Sequence, residues 1–167
     1  MEGTINIESM CADDWEEVRA IYLEGIATGH ATFQKEAPSW EEWDLGHNAD
    51  CRIVARFDGA VVGWAAVSPV SSRSVYAGVG EVSVYVSQNY NGKGIGSLLL
   101  SSLIEKSEQS GFWTLQSSIF PENIGSLKLH INHGFREVGR RERIGKMDGV
   151  WRDTILLERR SIIAEEG

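Results

Sequence analysis

The sequence has few of the features that mark disulfide-stabilised or membrane-spanning proteins. Its 167 residues include two cysteines, Cys11 and Cys51, which are too few and too far apart for a disulfide framework or a cysteine-based metal site. No apolar run approaches the roughly 18 residues of a transmembrane helix, and the N-terminus lacks the basic and then apolar segments of a secretory signal. We therefore expect a cytoplasmic protein that binds neither a metal nor a membrane.

Positive charge is also scarce. The chain has 16 lysines and arginines against 24 aspartates and glutamates, a formal net charge of −8, which argues against a nucleic acid as partner. This balance does not exclude a small phosphate ligand, because a local group of backbone N–H groups binds phosphate whatever the overall charge. Repeats, low-complexity segments and linkers are absent, so the length predicts a single domain over residues 1–167.

The most informative stretch is a strand pattern that continues through a glycine-rich loop into a helix pattern. Apolar and polar side chains alternate from Glu81 to Ser87, and apolar residues recur at helical spacing from Ile95 to Leu103. Glycines stand at positions 92, 94 and 96 between the two patterns. Glycines let a ligand approach the backbone, and the N–H groups of the first helical turn attract anions. The stretch therefore predicts a phosphate-binding loop.

The glycine spacing excludes two common nucleotide motifs. A P-loop requires Ser or Thr after Gly-Lys, but Gly94 follows Gly92 and Lys93. A dinucleotide fingerprint requires a third glycine where Leu99 stands. An ordinary glycine-rich turn without a ligand stays open as the alternative.

The loop resembles the acetyl-CoA loop of the GNAT N-acetyltransferase superfamily, Gln/Arg-x-x-Gly-x-Gly/Ala after a Val-x-Val strand. Asn91 stands where that family usually has Arg or Gln. The later segment from Asn123 to Phe135, with Ser126, His130 and Gly134 at the family's spacing, is similar to its second motif. The resemblance implies acetyl-CoA as co-substrate, although a plain helix N-cap explains Asn123 equally well. The residues it assigns to acetyl-CoA are Val84, Tyr85, Val86, Asn91, Gly92, Lys93, Gly94, Ile95, Gly96, Ser97, Asn123 and Ser126.

The pattern of elements predicts an α+β protein in the order β-α-α-β-β-β-α-β-α-β-β, which is also the order of the GNAT fold. That fold implies a mixed central sheet splayed around the acetyl-CoA site and flanked by about four helices. In detail, we expect Asp13 to cap the first helix in a capping box with Glu16. We also expect Ile124, Leu127 and Ile131 to form the inner face of the last helix.

Three local segments resemble the phosphinothricin/methionine-sulfoximine acetyltransferase branch of the superfamily. They are Phe33–Pro38, Arg73–Tyr76 followed by Glu81–Val86, and Gly149–Asp153. This resemblance implies a homodimer and a small amino-acid-like acceptor with a free α-amine, a free α-carboxylate and a tetrahedral polar group on its side chain. The candidates for the acceptor pocket are Phe33, Glu36, Arg73 and Tyr76. A guanidinium such as that of Arg73 suits a carboxylate because it donates two parallel hydrogen bonds.

Two side chains are candidates for proton transfer. Strand alternation places Glu81 on the face opposite the valines, where its carboxylate can deprotonate the acceptor amine; a solvated surface glutamate is the alternative. His130 occupies the position where the family usually has a tyrosine, the proposed acid that protonates the CoA thiolate. A histidine can act there as acid or base. A histidine bonded only to a backbone carbonyl is its alternative.

The predicted function is therefore acetyl transfer from acetyl-CoA to the α-amine of a small amino-acid-like molecule. Acetylation of a peptide or protein N-terminus is an alternative within the same chemistry. A non-catalytic acyl-CoA-binding regulatory module is an alternative of another class, and the presence of both Glu81 and His130 argues against it.

Overall fold

The computed structural model describes residues 3–163, which form one mixed sheet of seven strands and four α-helices. The α+β class and the predicted order of elements are confirmed. The strands are β1 (Asn6–Ser9), β2 (Arg52–Phe57), β3 (Ala60–Pro69), β4 (Val79–Val86), β5 (Thr114–Ile119), β6 (Arg136–Met147) and β7 (Val150–Arg160). The helices are α1 (Trp15–Thr28), α2 (Trp40–Gly46), α3 (Ile95–Gln109) and α4 (Ile124–Asn132).

The helices cover the two faces of the sheet with two separate apolar clusters. On one side α3 buries Leu99, Leu100 and Leu103 completely against β2, β3 and β4. On the other side α1 and α2 bring Val18 and Trp43 against Trp64 of β3. None of the helices within residues 3–163 is long and apolar enough to cross a membrane.

The start of α1 differs from the prediction. The expected capping box of Asp13 and Glu16 is wrong, because a short 3-10 turn over Ala12–Asp14 precedes the helix. The reciprocal box is formed by Cys11 and Asp14, whose carboxylate accepts a hydrogen bond from the Cys11 N–H at 3.0 Å. Arg56 of β2 pairs with Asp14 at 2.8 Å, and this tertiary contact selects the aspartate that caps the turn.

The inner face of α4 also differs from the prediction. Leu127 packs against the core as predicted, but Ile124 and Ile131 are 60% and 53% exposed, whereas His130 is buried at 3%. The ring of Phe135 packs edge-on against the His130 ring with centroids 5.0 Å apart, and Phe135 belongs to the core. This contact sets the rotation of α4, so that His130 faces inward in place of Ile131.

The sheet opens between its two parallel neighbours. The strand order is β1-β2-β3-β4-β5-β7-β6, and β4 and β5 are the parallel pair. β4 pairs with β3 from Gly80 through Val86, but it pairs with β5 only from Val79 through Glu81. Beyond Glu81 the edge of β4 that faces β5 has no strand partner within the described residues.

Candidate active site

The divergence of β4 and β5 creates a cavity of about 850 Å³. Its walls come from both strands, the end of α1 and its connection to α2, α4 and the β6–β7 pair. Among the predicted site residues, those that line it are Phe33, Glu81, Val84, Tyr85, Val86, Asn91, Asn123, Ser126 and His130.

The glycine-rich loop adopts a backbone that favours glycine at two positions. Gly92 and Gly94 have φ angles of 76° and 79°, in the left-handed region, and a Cβ at either position would meet no atom within 4 Å. Backbone conformation, rather than crowding, therefore calls for glycine at both positions. Gly94 is the N-cap of α3 and has no capping side chain.

The N-terminus of α3 is suited to an anion. The Leu98 N–H donates to the Gly94 carbonyl at 3.2 Å, so the N–H groups of Ile95, Gly96 and Ser97 precede the first intrahelical bond. These three donors carry the positive end of the helix dipole and can bind a phosphate. The side chain of Ile95 is buried in the core, which leaves only its backbone for a ligand. Lys93 is exposed on the loop.

Asn123 has the plain structural role that the sequence left open. Its side-chain oxygen accepts a hydrogen bond from the Ser126 N–H at 3.2 Å and caps α4. Its side-chain amide donates to the His30 carbonyl at 3.2 Å, which ties α4 to the connection between α1 and α2. Asn123 and Ser126 both line the cavity, and their contact with acetyl-CoA stays a prediction.

Glu81 lies at the vertex of the opening. It is the last residue of β4 that pairs with β5, opposite Gln116, whose side-chain amide donates to Glu81 Oε1 at 3.3 Å. The side chain is half-buried and lines the cavity. No hydrogen bond from residues 3–163 reaches Oε2, so this oxygen can accept a proton or a hydrogen bond from a ligand.

His130 is buried with one ring nitrogen engaged. Nδ1 lies 2.7 Å from the Ser126 carbonyl, which requires Nδ1 to carry the proton and donate. Nε2 then carries a lone pair, and it has no hydrogen-bond partner among the described residues. Burial lowers the pKa of His130, so the ring is neutral at neutral pH. A neutral ring can accept a proton at Nε2 but cannot act as a resident acid; because Nε2 is itself buried, a catalytic role for His130 stays a prediction.

His133 lies in the same helix and contacts a different part of the site. Its Nδ1 is 2.8 Å from the Leu129 carbonyl, and its Nε2 is 3.0 Å from the Ser97 hydroxyl on the first turn of α3. The two histidines therefore reach different parts of the predicted machinery, since His130 lines the cavity and His133 supports the end of α3 that follows the glycine loop.

Substitution of the two histidines should separate turnover from cofactor binding. We expect His130→Phe to lower kcat with little change in the Kd for acetyl-CoA, because the phenyl ring fills the buried site but cannot accept a proton. Neutral His130 is required, so wild-type activity should fall as pH drops through a pKa below the ordinary 6.5, and this limb should be missing in the variant. His133→Phe should instead weaken acetyl-CoA binding. Equal losses of kcat in two variants with equal melting temperatures would contradict a specific role for His130.

The predicted acceptor residues do not come together. Phe33 lines the cavity, where its ring packs edge-on against Phe120 with centroids 4.8 Å apart. Glu36 lines an adjoining smaller cavity of about 520 Å³. The guanidinium of Arg73 lies 5.7 Å over the ring of Tyr76 on the exposed connection between β3 and β4, and neither residue lines either cavity.

The sequence did not indicate the contribution of the last two strands. Arg141 and Ile144 of β6 and Thr154 of β7 line the cavity. The ring of Phe33 lies so close to Gly145 that a Cβ at this position would come within 2.8 Å of it. The β6–β7 pair thus covers one end of the cavity. Among residues 3–163 there is no group of three or more His, Cys, Asp or Glu side chains arranged to hold a metal ion.

A mixed sheet that opens between parallel strands, beside a helix N-terminus suited to an anion, fits the class of acyl-CoA-dependent acyltransferases. The profile of the acetyltransferase (GNAT) family matches residues 10–135, and the chain belongs to this family. It is an acetyl-CoA-dependent N-acetyltransferase with the GNAT fold.

Similar proteins include enzymes with two kinds of acceptor in their names. A phosphinothricin N-acetyltransferase from Alcaligenes faecalis is 32% identical over 157 residues, which cover 88% of this chain and 78% of that protein. The structure of a phosphinothricin acetyltransferase from Sinorhizobium meliloti in complex with acetyl-CoA matches with a TM-score of 0.84 at 31% identity, covering 94% of this chain and 88% of that one. The structure of a ribosomal-protein-alanine N-acetyltransferase from Brucella melitensis matches with a TM-score of 0.86 at 29% identity, covering 93% of this chain and 99% of that one.

Proposed function

We propose that this enzyme transfers the acetyl group of acetyl-CoA to the α-amine of a small amino acid of the phosphinothricin or methionine sulfoximine type. The observation that carries the proposal is the position of Glu81, whose carboxylate faces the cavity where the unpaired edge of β4 begins. The similarity to phosphinothricin acetyltransferases supports the acceptor class.

The residues of the opening fit acetyl-CoA. The N–H groups at the start of α3 suit the pyrophosphate. The loop that leads to them turns through Gly92 and Gly94, whose backbones are in the left-handed conformation. The unpaired edge of Val84–Val86 offers backbone donors and acceptors that an extended pantetheine arm can pair with, as an added strand does. When bound, acetyl-CoA supplies an acetyl thioester. A backbone N–H of the same edge is suited to stabilise the negative charge that develops on its carbonyl oxygen.

The chain's own residues handle the protons. An α-ammonium must lose a proton before it can attack. Glu81 lines the cavity, and its Oε2 has no hydrogen-bond partner among the described residues, so this carboxylate is suited to accept that proton. Neutral His130 offers a second acceptor at Nε2. Burial raises the pKa of the Tyr85 phenol, which makes it a weaker proton donor than an ordinary tyrosine. We therefore assign the proton that the ammonium loses before attack to Glu81. The C–N bond forms as the thioester C–S bond breaks, and the second proton of the attacking nitrogen goes to the departing CoA thiolate, with His130 Nε2 as the candidate carrier.

A screen of acceptors tests the function directly. The release of CoA is followed with a thiol-reactive dye for phosphinothricin, methionine sulfoximine, the methyl ester of methionine sulfoximine and a short peptide. We expect the two free amino acids to give the highest kcat/KM, because the ester lacks the carboxylate charge and the peptide must extend beyond a cavity that the β6–β7 pair covers at one end. A higher kcat/KM for the peptide would overturn the acceptor class.

Acetylation of a protein N-terminus is the second candidate function. The similarity to a ribosomal-protein-alanine N-acetyltransferase favours it. The two candidates differ at the acceptor carboxylate, which a free amino acid has and a chain N-terminus lacks. The ester and peptide arms of the screen therefore separate them.

A homodimer and a cytoplasmic location belong to the same proposal. Val75 and Tyr76 are 62% and 47% exposed on the β3–β4 connection, as apolar residues in an interface between two copies would be in a single copy. Light scattering of the purified protein tests the dimer, and a monomeric mass at micromolar concentration would contradict it. Cys11 and Cys51 are both free thiols, which suits a reducing compartment.

A further inference from the structure

We propose that Arg141 binds the α-carboxylate of the acceptor; this inference rests on the proposed function. Within residues 3–163, Arg141 is the only arginine or lysine that lines the cavity. An amino acid bound there places an anion in a cavity whose other charged walls are glutamates, so one cationic partner is needed.

Strand geometry directs the Arg141 side chain into the cavity. Arg141 pairs with Thr154 across the β6–β7 ladder, and directly opposed residues in antiparallel strands project from the same face of the sheet. Thr154 is 6% exposed and lines the cavity. Arg140, the preceding residue, projects from the other face, where its guanidinium pairs with Asp153 at 2.8 Å.

The charge of Arg141 is not neutralised by any side chain within the described residues. No hydrogen bond or ion pair joins its guanidinium to another residue of the described chain. The glutamates of the cavity wall other than Glu81 are engaged, since Glu24 accepts from the Gln88 N–H at 2.9 Å and Glu122 lies 3.5 Å from Arg152. Arg141 and Glu81 are thus left as complementary charges for the carboxylate and the ammonium of one amino acid.

A bulge in β6 holds this end of the cavity in shape. Between the pairs Arg141–Thr154 and Gly145–Arg152, three residues of β6 lie opposite the single residue Asp153 of β7. The Asp153 carboxylate accepts from the Arg143 N–H at 2.8 Å as well as from Arg140, and Arg143 has a φ of 50°. The backbone hydrogen bond from Arg143 and then the side-chain bond from Arg140 lower the pKa of Asp153. Its carboxylate is therefore charged at neutral pH and keeps the hydrogen bonds that hold the bulge. Asp153 is a positioning residue in this arrangement.

The test uses methionine sulfoximine, because its α-carboxylate is its only anionic group. We expect Arg141→Ala to raise the KM for methionine sulfoximine roughly ten- to hundredfold, as loss of a charge-assisted hydrogen bond does. The KM for acetyl-CoA should not change. The methyl ester should show the same low kcat/KM with wild type and Arg141→Ala, since neither complex contains the pair. Arg141→Lys should restore activity only in part, because an ammonium lacks the two-pronged geometry.

Arg136→Ala is the matched control, since it removes an arginine from the same strand that lies outside the bulge and does not line the cavity. It should leave both KM values near those of wild type. Arg73→Ala decides between the two arginines, and a KM effect confined to Arg73→Ala would overturn the role of Arg141. An equal loss for acid and ester, or a higher KM for acetyl-CoA, would also overturn it. If the wild-type enzyme acetylates neither methionine sulfoximine nor phosphinothricin, the proposed function fails and this inference falls with it.

Discussion

Replacement of Glu81 by glutamine is expected to lower kcat about 100-fold, the scale on which a positioned general base acts. Glutamine has the same shape and can keep the hydrogen bond with Gln116, but it cannot accept a proton from the acceptor ammonium. The Kd for acetyl-CoA should stay near that of wild type, because the predicted cofactor contacts lie on the backbone beyond Glu81 and on the glycine loop. Steady-state kinetics and calorimetric titration with acetyl-CoA measure the two quantities.

Glu122→Gln is the matched control for this prediction. Glu122 also lines the cavity, but its carboxylate lies 3.5 Å from Arg152 and on a different wall. The charge removed is the same, so a general electrostatic effect of the cavity would lower kcat in both variants alike. A much smaller loss in Glu122→Gln supports a specific role for Glu81. Turnover at the wild-type rate in Glu81→Gln would exclude Glu81 as the general base.

Replacement of Gly94 by valine is expected to abolish acetyl-CoA binding. The φ of 79° at Gly94 is strongly disfavoured for a β-branched residue, so the loop must change its path and the N–H groups of α3 no longer converge on one anion. Acetyl-CoA should raise the melting temperature of the wild-type protein, because a ligand that binds only the folded state stabilises it. We expect no such rise for Gly94→Val.

The chain offers a control for the backbone strain itself. Gly59 in the β2–β3 turn has a φ of 81° and, like Gly94, open space where a Cβ would lie. Gly59→Val should therefore lower the melting temperature of the free protein by a similar amount while the stabilisation by acetyl-CoA persists. Gly96→Ala should also bind acetyl-CoA, since the nearest atom to its Cβ would be Leu129 Cδ2 at 3.4 Å. Normal binding by Gly94→Val would show that the loop does not hold the cofactor.

The local structure could be predicted because its causes lie within a few residues of the chain. The alternation from Glu81 to Ser87 and the apolar spacing from Ile95 to Leu103 predicted β4 and α3, and the glycines predicted the loop between them. The β2–β3 turn has an equally local cause, since Asp58 and Gly59 both have positive φ. Each of these features depends on side-chain periodicity or on a backbone conformation that few residues adopt.

The cavity depended on contacts between residues far apart in the sequence. The pairing of β4 with β5 ends at Glu81, and no pattern within either strand indicates where a parallel pairing ends. The burial of His130 in place of Ile131 depends on Phe135 and the core behind it, which the helical period by itself does not reveal.

By itself the sequence determined the order of elements and the glycine loop before α3, since periodicity and backbone conformation are local properties; the resemblance to the GNAT superfamily supplied the candidates Glu81 and His130. Only the tertiary structure decided which side chains share the cavity. It placed Arg73 on an exposed connection and brought in Arg141, because the register of β6 on β7 and the bulge held by Asp153 determine the direction of that side chain. Register and bulges follow from the pairing of whole strands, and no short segment of sequence specifies them.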